Sequence, residues 1–241
     1  MLDGEMPPAS TGSESFTGGP PPSMRPSEVR PAGASPSGPT RARRLGKACF
    51  DRMVAAVALI FLGPVMVAIA VAVRLTSRGP ALVGRRRIGR DGAEFTLLRF
   101  RTTRQGAQDR RVELLGDLVS DRHGPLLKIG RDPRVTPLGV RLRRRSLDEL
   151  PQLINVLRGD MSLVGPRPMP PEEVERYGDH ARGRLVVRPG MTGPWQVDGG
   201  ADLSWEESVR LDLRYVENWS VMLDLRILWK TWSTVARRAG A

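Results

Sequence analysis

The sequence predicts an α+β, helix-rich fold in which a membrane-embedded re-entrant helix hairpin is attached to a compact cytosolic domain with a small β-hairpin. Three observations predict it: a charge-free apolar run between basic flanks, two β-prone segments around an Asp-Gly step, and helical spacing of apolar residues further on. The chain of 241 residues is expected to divide into a tail at 1–40, a basic-flanked membrane helix at 41–80 and one folded domain at 81–241.

The tail is set apart by composition. Of its 40 positions, 22 are Pro, Gly or Ser. Such a stretch cannot bury enough apolar surface to offset the entropy of ordering, and disorder is expected there. It carries four acids against two arginines, so the remaining chain holds a charge of +14 within a total of +12. Of 38 basic residues 35 are arginine. That balance points to polyanionic partners: nucleic acid, an anionic membrane face or phosphorylated substrates.

From Met53 to Val73 no residue is charged. As a straight helix these 21 residues would cover about 31 Å, enough to span a bilayer core. Two features favour a re-entrant hairpin instead. Gly63-Pro64 sits at the midpoint, where a proline removes a backbone hydrogen bond and predicts a sharp bend. Arg41, Arg43, Arg44, Lys47 and Arg52 precede the segment, and Arg74, Arg78, Arg85, Arg86, Arg87 and Arg90 follow it. Basic flanks belong on the cytoplasmic side, and both satisfy that only if the chain leaves by the face it entered.

Leu82 to Ile88 and Glu94 to Phe100 then flank Gly89-Arg90-Asp91-Gly92, a hairpin signal. Residues 103–127 are polar and glycine-interrupted, as in a surface excursion. Leu150, Leu153, Ile154 and Leu157 are spaced for an amphipathic helix that Gly159 stops. Proline-rich turns follow at 165–171 and 188–190, and Val221 to Ala236 reads as a last amphipathic helix. Its Trp229 and Trp232, with Trp219 before it, suit either a lipid interface or core packing.

Rare residues exclude much chemistry. The one cysteine, Cys49, excludes an intrachain disulfide, and two isolated histidines, His123 and His180, make a His-based metal site improbable. No GxxxxGK[ST] or GxGxxG is present. Carboxylates and arginines remain as tools. Asp148 and Glu149 stand behind Arg143, Arg144 and Arg145. Ser146 with Glu149 spells a capping box, and Asp148 suits an N-cap, so helix capping alone accounts for them. The same groups also suit phosphate chemistry. A carboxylate among arginines can attack phosphorus while its neighbour holds a divalent metal. Arg167, fixed between two prolines, offers a rigid fork for phosphate oxygens.

The run LDELPQLINVLRGDMSLVGPRP (Leu147 to Pro168) resembles the core motif of the bacterial sugar transferases, the polyprenyl-phosphate phosphoglycosyl transferases, in their minimal monotopic form. KACFD (47–51), IGRDG (88–92), DPRVT (132–136), VRPGMTG (187–193) and LDLRYVENWSVMLD (211–224) extend the resemblance over about residues 45–235. It implies a two-step exchange at the cytoplasmic face of a bacterial inner membrane, in the first membrane step of exopolysaccharide or glycoconjugate assembly. Asp148 would attack the β-phosphate of a UDP-sugar and release UMP, and undecaprenyl phosphate would then accept the phospho-sugar. Glu149 would hold Mg²⁺. Arg143 and Arg167 would bind phosphates, Arg101, Arg188 and Gln196 would contact substrate, and Gly63-Pro64 would hinge the membrane helix. Expected partners are those two substrates and anionic inner-membrane lipids, with a homodimer as one oligomeric option. The chain departs from the family pattern at Arg101, Thr103 and Trp195, and in the loop Asp198-Gly199-Gly200-Ala201. Two other readings are a catalytically dead scaffold and a membrane-tethered nucleic-acid binder. Only 12 aromatic residues and no recognised nucleic-acid module argue against the second.

Overall fold

The computed structural model describes residues 40–104, 134–175, 179–198 and 203–240. The tail before Thr40, the excursion from 105 onward, Asp132, Pro133 and Gly199 to Ala201 lie outside the described residues.

Helix α1 (Arg41–Thr76) carries the apolar segment. The bend expected at Gly63-Pro64 does not divide it into two helices; one helix runs through both residues. Pro64 deprives only the Ile60 carbonyl of a donor, and packing holds the turns on either side. Ala58, Leu59 and Leu62 before it, and Met66, Ile69 and Ala70 after it, are half-buried against the domain. With the buried Ala48, Asp51, Ala55 and Val73 they recur every three or four residues, one stripe along the helix. The other faces are exposed, with Ile60 and Phe61 73% and 76% accessible. Among the described residues α1 is the one helix long and apolar enough to cross a membrane, by length and composition.

Strands β1 (Leu82–Ile88) and β2 (Glu94–Phe100) form the expected antiparallel hairpin, with Leu82 opposite Phe100 and Ile88 opposite Glu94. Asp91 and Gly92 supply its left-handed turn at φ 56° and 82°. In this register Val83 faces Arg99 and Arg85 faces Leu97, which puts Val83, Arg85, Arg87, Leu97 and Arg99 on one side of the ribbon.

Helix α2 (Pro137–Arg144) is capped by Thr136, whose Oγ1 accepts from the Gly139 amide at 2.9 Å. A 3₁₀ turn (Leu147–Glu149) leads to α3 (Gln152–Arg158), which Gly159 ends at φ 91°. The face α3 buries is not the predicted one. Gln152, Leu153, Asn155 and Val156 point inward, and Leu157 is 42% exposed. Asn155 turns the helix: its side chain accepts from the Leu98 amide at 3.0 Å and donates to the Thr96 carbonyl at 2.8 Å. Two unpaired β2 groups thereby hold an amide where an apolar residue was expected.

Strands β3 (Ser162–Val164) and β4 (Gly190–Thr192) pair in parallel, an element the sequence did not announce. A Cβ on Gly190 would stand 2.1 Å from the Gly165 nitrogen, so glycine is required for the Gly165-Pro166-Arg167-Pro168 loop to lie against β4. Between the strands run α4 (Pro171–Val174) and α5 (Asp179–Arg182). After them come α6 (Pro194–Asp198), α7 (Trp205–Glu217) and α8 (Val221–Gly240). Lys47 of α1 reaches Asp224 of α8 at 2.5 Å, and Asp224 also accepts from Tyr215 Oη at 2.7 Å and Trp219 Nε1 at 3.0 Å. The tryptophans therefore divide: Trp219 belongs to the core, whereas Trp229 and Trp232 are 74% and 70% exposed.

Candidate active site

Asp148 and Glu149 sit on the 3₁₀ turn after α2, and Leu147 and Leu150 on either side anchor that turn. Both leucines pack against Val73, Phe100 and Leu142, the same cluster that seats Met66, Ile69 and Ala70 of α1. The apolar helix and the carboxylate turn thus share one piece of core. Neither carboxylate is a cap. Ser146 is left-handed at φ 55° with no capping bond, and α3 starts at Gln152 behind Pro151, also without a side-chain cap. The helix-capping account of Asp148 and Glu149 fails here.

The two carboxylates line a cavity of about 470 Å³ with five arginines: Arg85 and Arg87 from β1, Arg99 from β2, Arg143 from α2, and Arg167. Asp148 is 4% exposed, with Arg99 Nη1 3.6 Å from its Oδ2. Burial raises its pKa above the ordinary aspartate value; Arg99 and Arg143 oppose the rise and Glu149 adds to it. Glu149 pairs with Arg99 Nη2. Arg143 is steadied by Nε donating to Thr102 Oγ1 at 2.9 Å. Burial, then repulsion from Arg85, Arg167 and Arg99, pushes Arg87 down to about 10, and burial with Arg99 lowers Arg167. Guanidinium groups crowded at this density repel one another, and bound anions relieve the repulsion.

The structure brings Asp148, Glu149, Arg143, Arg167 and Gln196 together. Arg167 lies 5.6 Å from the ring of Trp195, so the departure at 195 supplies a cation–π surface for it. Asp198 of the altered loop is held by Lys230 at 2.5 Å. Two residues expected at substrate are not brought here. Arg188 lines a separate cavity. Arg101, 5% exposed, spends its guanidinium on backbone carbonyls at the end of α1: Pro80, Ser77 at 2.7 Å and Val73 at 3.5 Å, with Ser77 Oγ at 2.9 Å. It closes a helix C-terminus, where a cation suits the orphan carbonyls and the dipole. Arg101→Met is therefore expected to lower stability by about 2–3 kcal/mol while activity per folded molecule stays near wild type. Thermal unfolding and a rate normalised to folded protein check both.

Sequence reasoning missed Arg99 and Gln152. Arg99 shares a strand face with Leu97, which is 2% exposed, and an arginine on an inward face was the available signal. Gln152 is 2% exposed, and its Nε2, like Gln196 Oε1, is buried without a hydrogen-bond partner in the cavity lining. A buried donor and acceptor left open in one cavity suit a polar ligand. Magnesium fits this donor set. The described residues hold no cluster of three candidate metal ligands, but Mg²⁺ commonly takes one or two carboxylates and completes its shell with phosphate oxygens and water.

Residues 42–238 match the family described as bacterial sugar transferase. An undecaprenyl-phosphate galactose phosphotransferase of Salmonella typhimurium is 42% identical over 203 residues, covering 83% of this chain and 42% of that protein. The exopolysaccharide production protein ExoY of Rhizobium meliloti is 40% identical over 199 residues, covering 82% of this chain and 88% of that protein. A UDP-glucose:undecaprenyl-phosphate glucose-1-phosphate transferase of Xanthomonas campestris pv. campestris is 39% identical over 194 residues, 76% of this chain and 37% of that protein. The chain thus spans well under half the length of the Salmonella and Xanthomonas relatives and most of the Rhizobium one.

Proposed function

The chain belongs to the bacterial sugar transferase family, and from that premise we propose that it moves a sugar phosphate from a UDP-sugar to undecaprenyl phosphate, with Asp148 as the attacking group. The observation that carries the reading is the enclosure of Asp148 and Glu149 with five arginines in one cavity that shares core contacts with the apolar helix.

In the first step a carboxylate oxygen of Asp148 bonds to the β-phosphorus as the bond to the bridging oxygen breaks, and UMP leaves with that electron pair. In the second, a phosphate oxygen of the lipid attacks the same phosphorus, freeing Asp148 and forming the lipid diphosphate sugar. Arg99, Arg143 and Arg167 hold phosphate oxygens and stabilise charge as it builds. The open amides of Gln152 and Gln196 orient the substrate. Glu149 would hold Mg²⁺, which would supply further charge neutralisation when bound. UMP release measured over a panel of UDP-sugars with undecaprenyl phosphate and Mg²⁺ tests the proposal. No release from any sugar would leave the dead-scaffold reading.

Lysine at 167 keeps the charge but not the planar fork or the stacking on Trp195. Arg167→Lys is expected to lower kcat and raise KM for the UDP-sugar, and Arg167→Ala to do worse on both. Equal rates in all three would remove Arg167 from the site.

Helix α1 is proposed to lie in the cytoplasmic leaflet of the inner membrane without crossing it. Its packed stripe runs from Ala48 to Val73, which leaves no unpacked length to traverse a bilayer core. In a Cys49→Ser background, Ser23→Cys is expected to resist an impermeant thiol reagent in intact cells. Labelling of that cysteine would establish a crossing helix.

A further inference from the structure

A second cavity, of about 650 Å³, shares no lining residue with the carboxylate cavity. Six cationic side chains line it: Arg41, Arg44, Lys47 and Arg52 of α1, Arg90 of the hairpin turn, and Arg188. Its two carboxylates are already engaged. Asp51 accepts from Ser162 Oγ at 2.6 Å with Lys47 at 3.6 Å, and Asp91 pairs with Arg90 at 3.0 Å. Arg52 and Arg188 make no ion pair among the described residues, and burial with repulsion from Arg90 and Arg52 lowers the pKa of Arg188. Arg52 is also placed by the backbone. Its Nη2 would lie 2.3 Å from a Cβ on Gly159, so this half-buried guanidinium rests against a glycine that leaves it room.

The position of the cavity selects its occupant. On α1 its lining ends at Arg52, and the next residue, Met53, begins the uncharged stretch to Val73. Leu45 of the lining is 60% exposed, and Phe50, five residues further along α1, 40%. Val187 and Trp219 give the cavity apolar walls as well. A free anion would use the guanidinium groups and leave that apolar surface in water; an amphiphile uses both.

We propose that this cavity binds the phosphate headgroup of an anionic phospholipid between Arg52 and Arg188, with its acyl chains along the exposed apolar flank of α1. The proposal rests on α1 lying in the membrane and is independent of the chemistry at Asp148.

The full chain is placed in phosphatidylcholine nanodiscs, and its Tm is followed as phosphatidylglycerol replaces part of the lipid. A ligand of the native state raises Tm by an amount that grows with the logarithm of its concentration relative to Kd. The wild type is compared with Arg52→Gln/Arg188→Gln and with Arg210→Gln/Arg226→Gln, which removes the same charge outside the cavity. Phosphatidylglycerol is expected to stabilise the wild type and the outer pair alike, and to act on the cavity pair about tenfold more weakly or not at all. Arg188→Gln alone, expected to weaken the effect severalfold, replaces the double variant if that one does not fold. Equal stabilisation of wild type and cavity variant, or equal loss in both double variants, would overturn the site in favour of diffuse charge. So would the same stabilisation by inorganic phosphate in pure phosphatidylcholine, or displacement of phosphatidylglycerol by equimolar polyprenyl phosphate. A wild type that does not enter nanodiscs would remove the membrane reading of α1 and this site with it, leaving Asp148 untouched.

Discussion

Asp148→Asn is expected to abolish sugar-phosphate transfer, leaving no detectable UMP release and no phospho-sugar adduct by intact mass. The change is nearly isosteric at a side chain 4% exposed. It removes the charge on which the proposed nucleophilic role depends and leaves the shape of the turn alone. Because the charged form is penalised by burial, the neutral amide is also expected to leave thermal stability unchanged or slightly raised. A structural role for Asp148 predicts the opposite pattern, a lower Tm with activity retained per folded molecule. That outcome would end the covalent mechanism.

Glu149→Gln is expected to lower kcat by about three orders of magnitude, roughly 4 kcal/mol of barrier, and to raise the Mg²⁺ concentration needed for half-maximal rate. Two effects combine. The proposed metal-binding carboxylate is lost, and Arg99 loses its partner, so the guanidinium is drawn toward Asp148, 3.6 Å from its other arm, and would mask the proposed attacking oxygen. Magnesium titrations of wild type and variant separate the two, since excess metal relieves only the first. A near-normal rate at unchanged magnesium demand would show that Glu149 serves only as a counter-charge for Arg99.

What the sequence disclosed were features encoded locally. The hairpin was legible because Asp91-Gly92 specifies a turn and fixes the register of the strands beside it. Asp148, Glu149 and Arg167 stood out within the run Leu147 to Pro168, and the structure gathers them with Arg143 and Gln196 around one cavity. Features set by contacts far apart along the chain stayed hidden. The same motif logic placed Arg101 and Arg188 at substrate, yet the direction of a side chain is decided by its surroundings. Arg101 meets the open carbonyls at the end of α1, and Arg188 lines a separate cavity. The β3–β4 pair consists of two three-residue strands whose partner lies 28 positions away, too short for any period to register. Arg99 was hidden by its own sequence context, since nothing near it marks a site until the strand folds beside the turn at 148.

The long reach of the contacts around α1 sets a timetable for synthesis. Lys47 pairs with Asp224, 177 positions later, and Asp51 with Ser162, 111 positions later. At 5–20 residues per second a ribosome needs about 10–35 s to bridge the first interval. For most of that time the apolar flank of α1 is outside the exit tunnel without the domain that covers its packed stripe. The nascent helix must therefore be shielded by a chaperone or by lipid well before its final partner exists. Slower translation downstream of the helix lengthens that exposure and is expected to raise aggregation, whatever the stability of the finished protein.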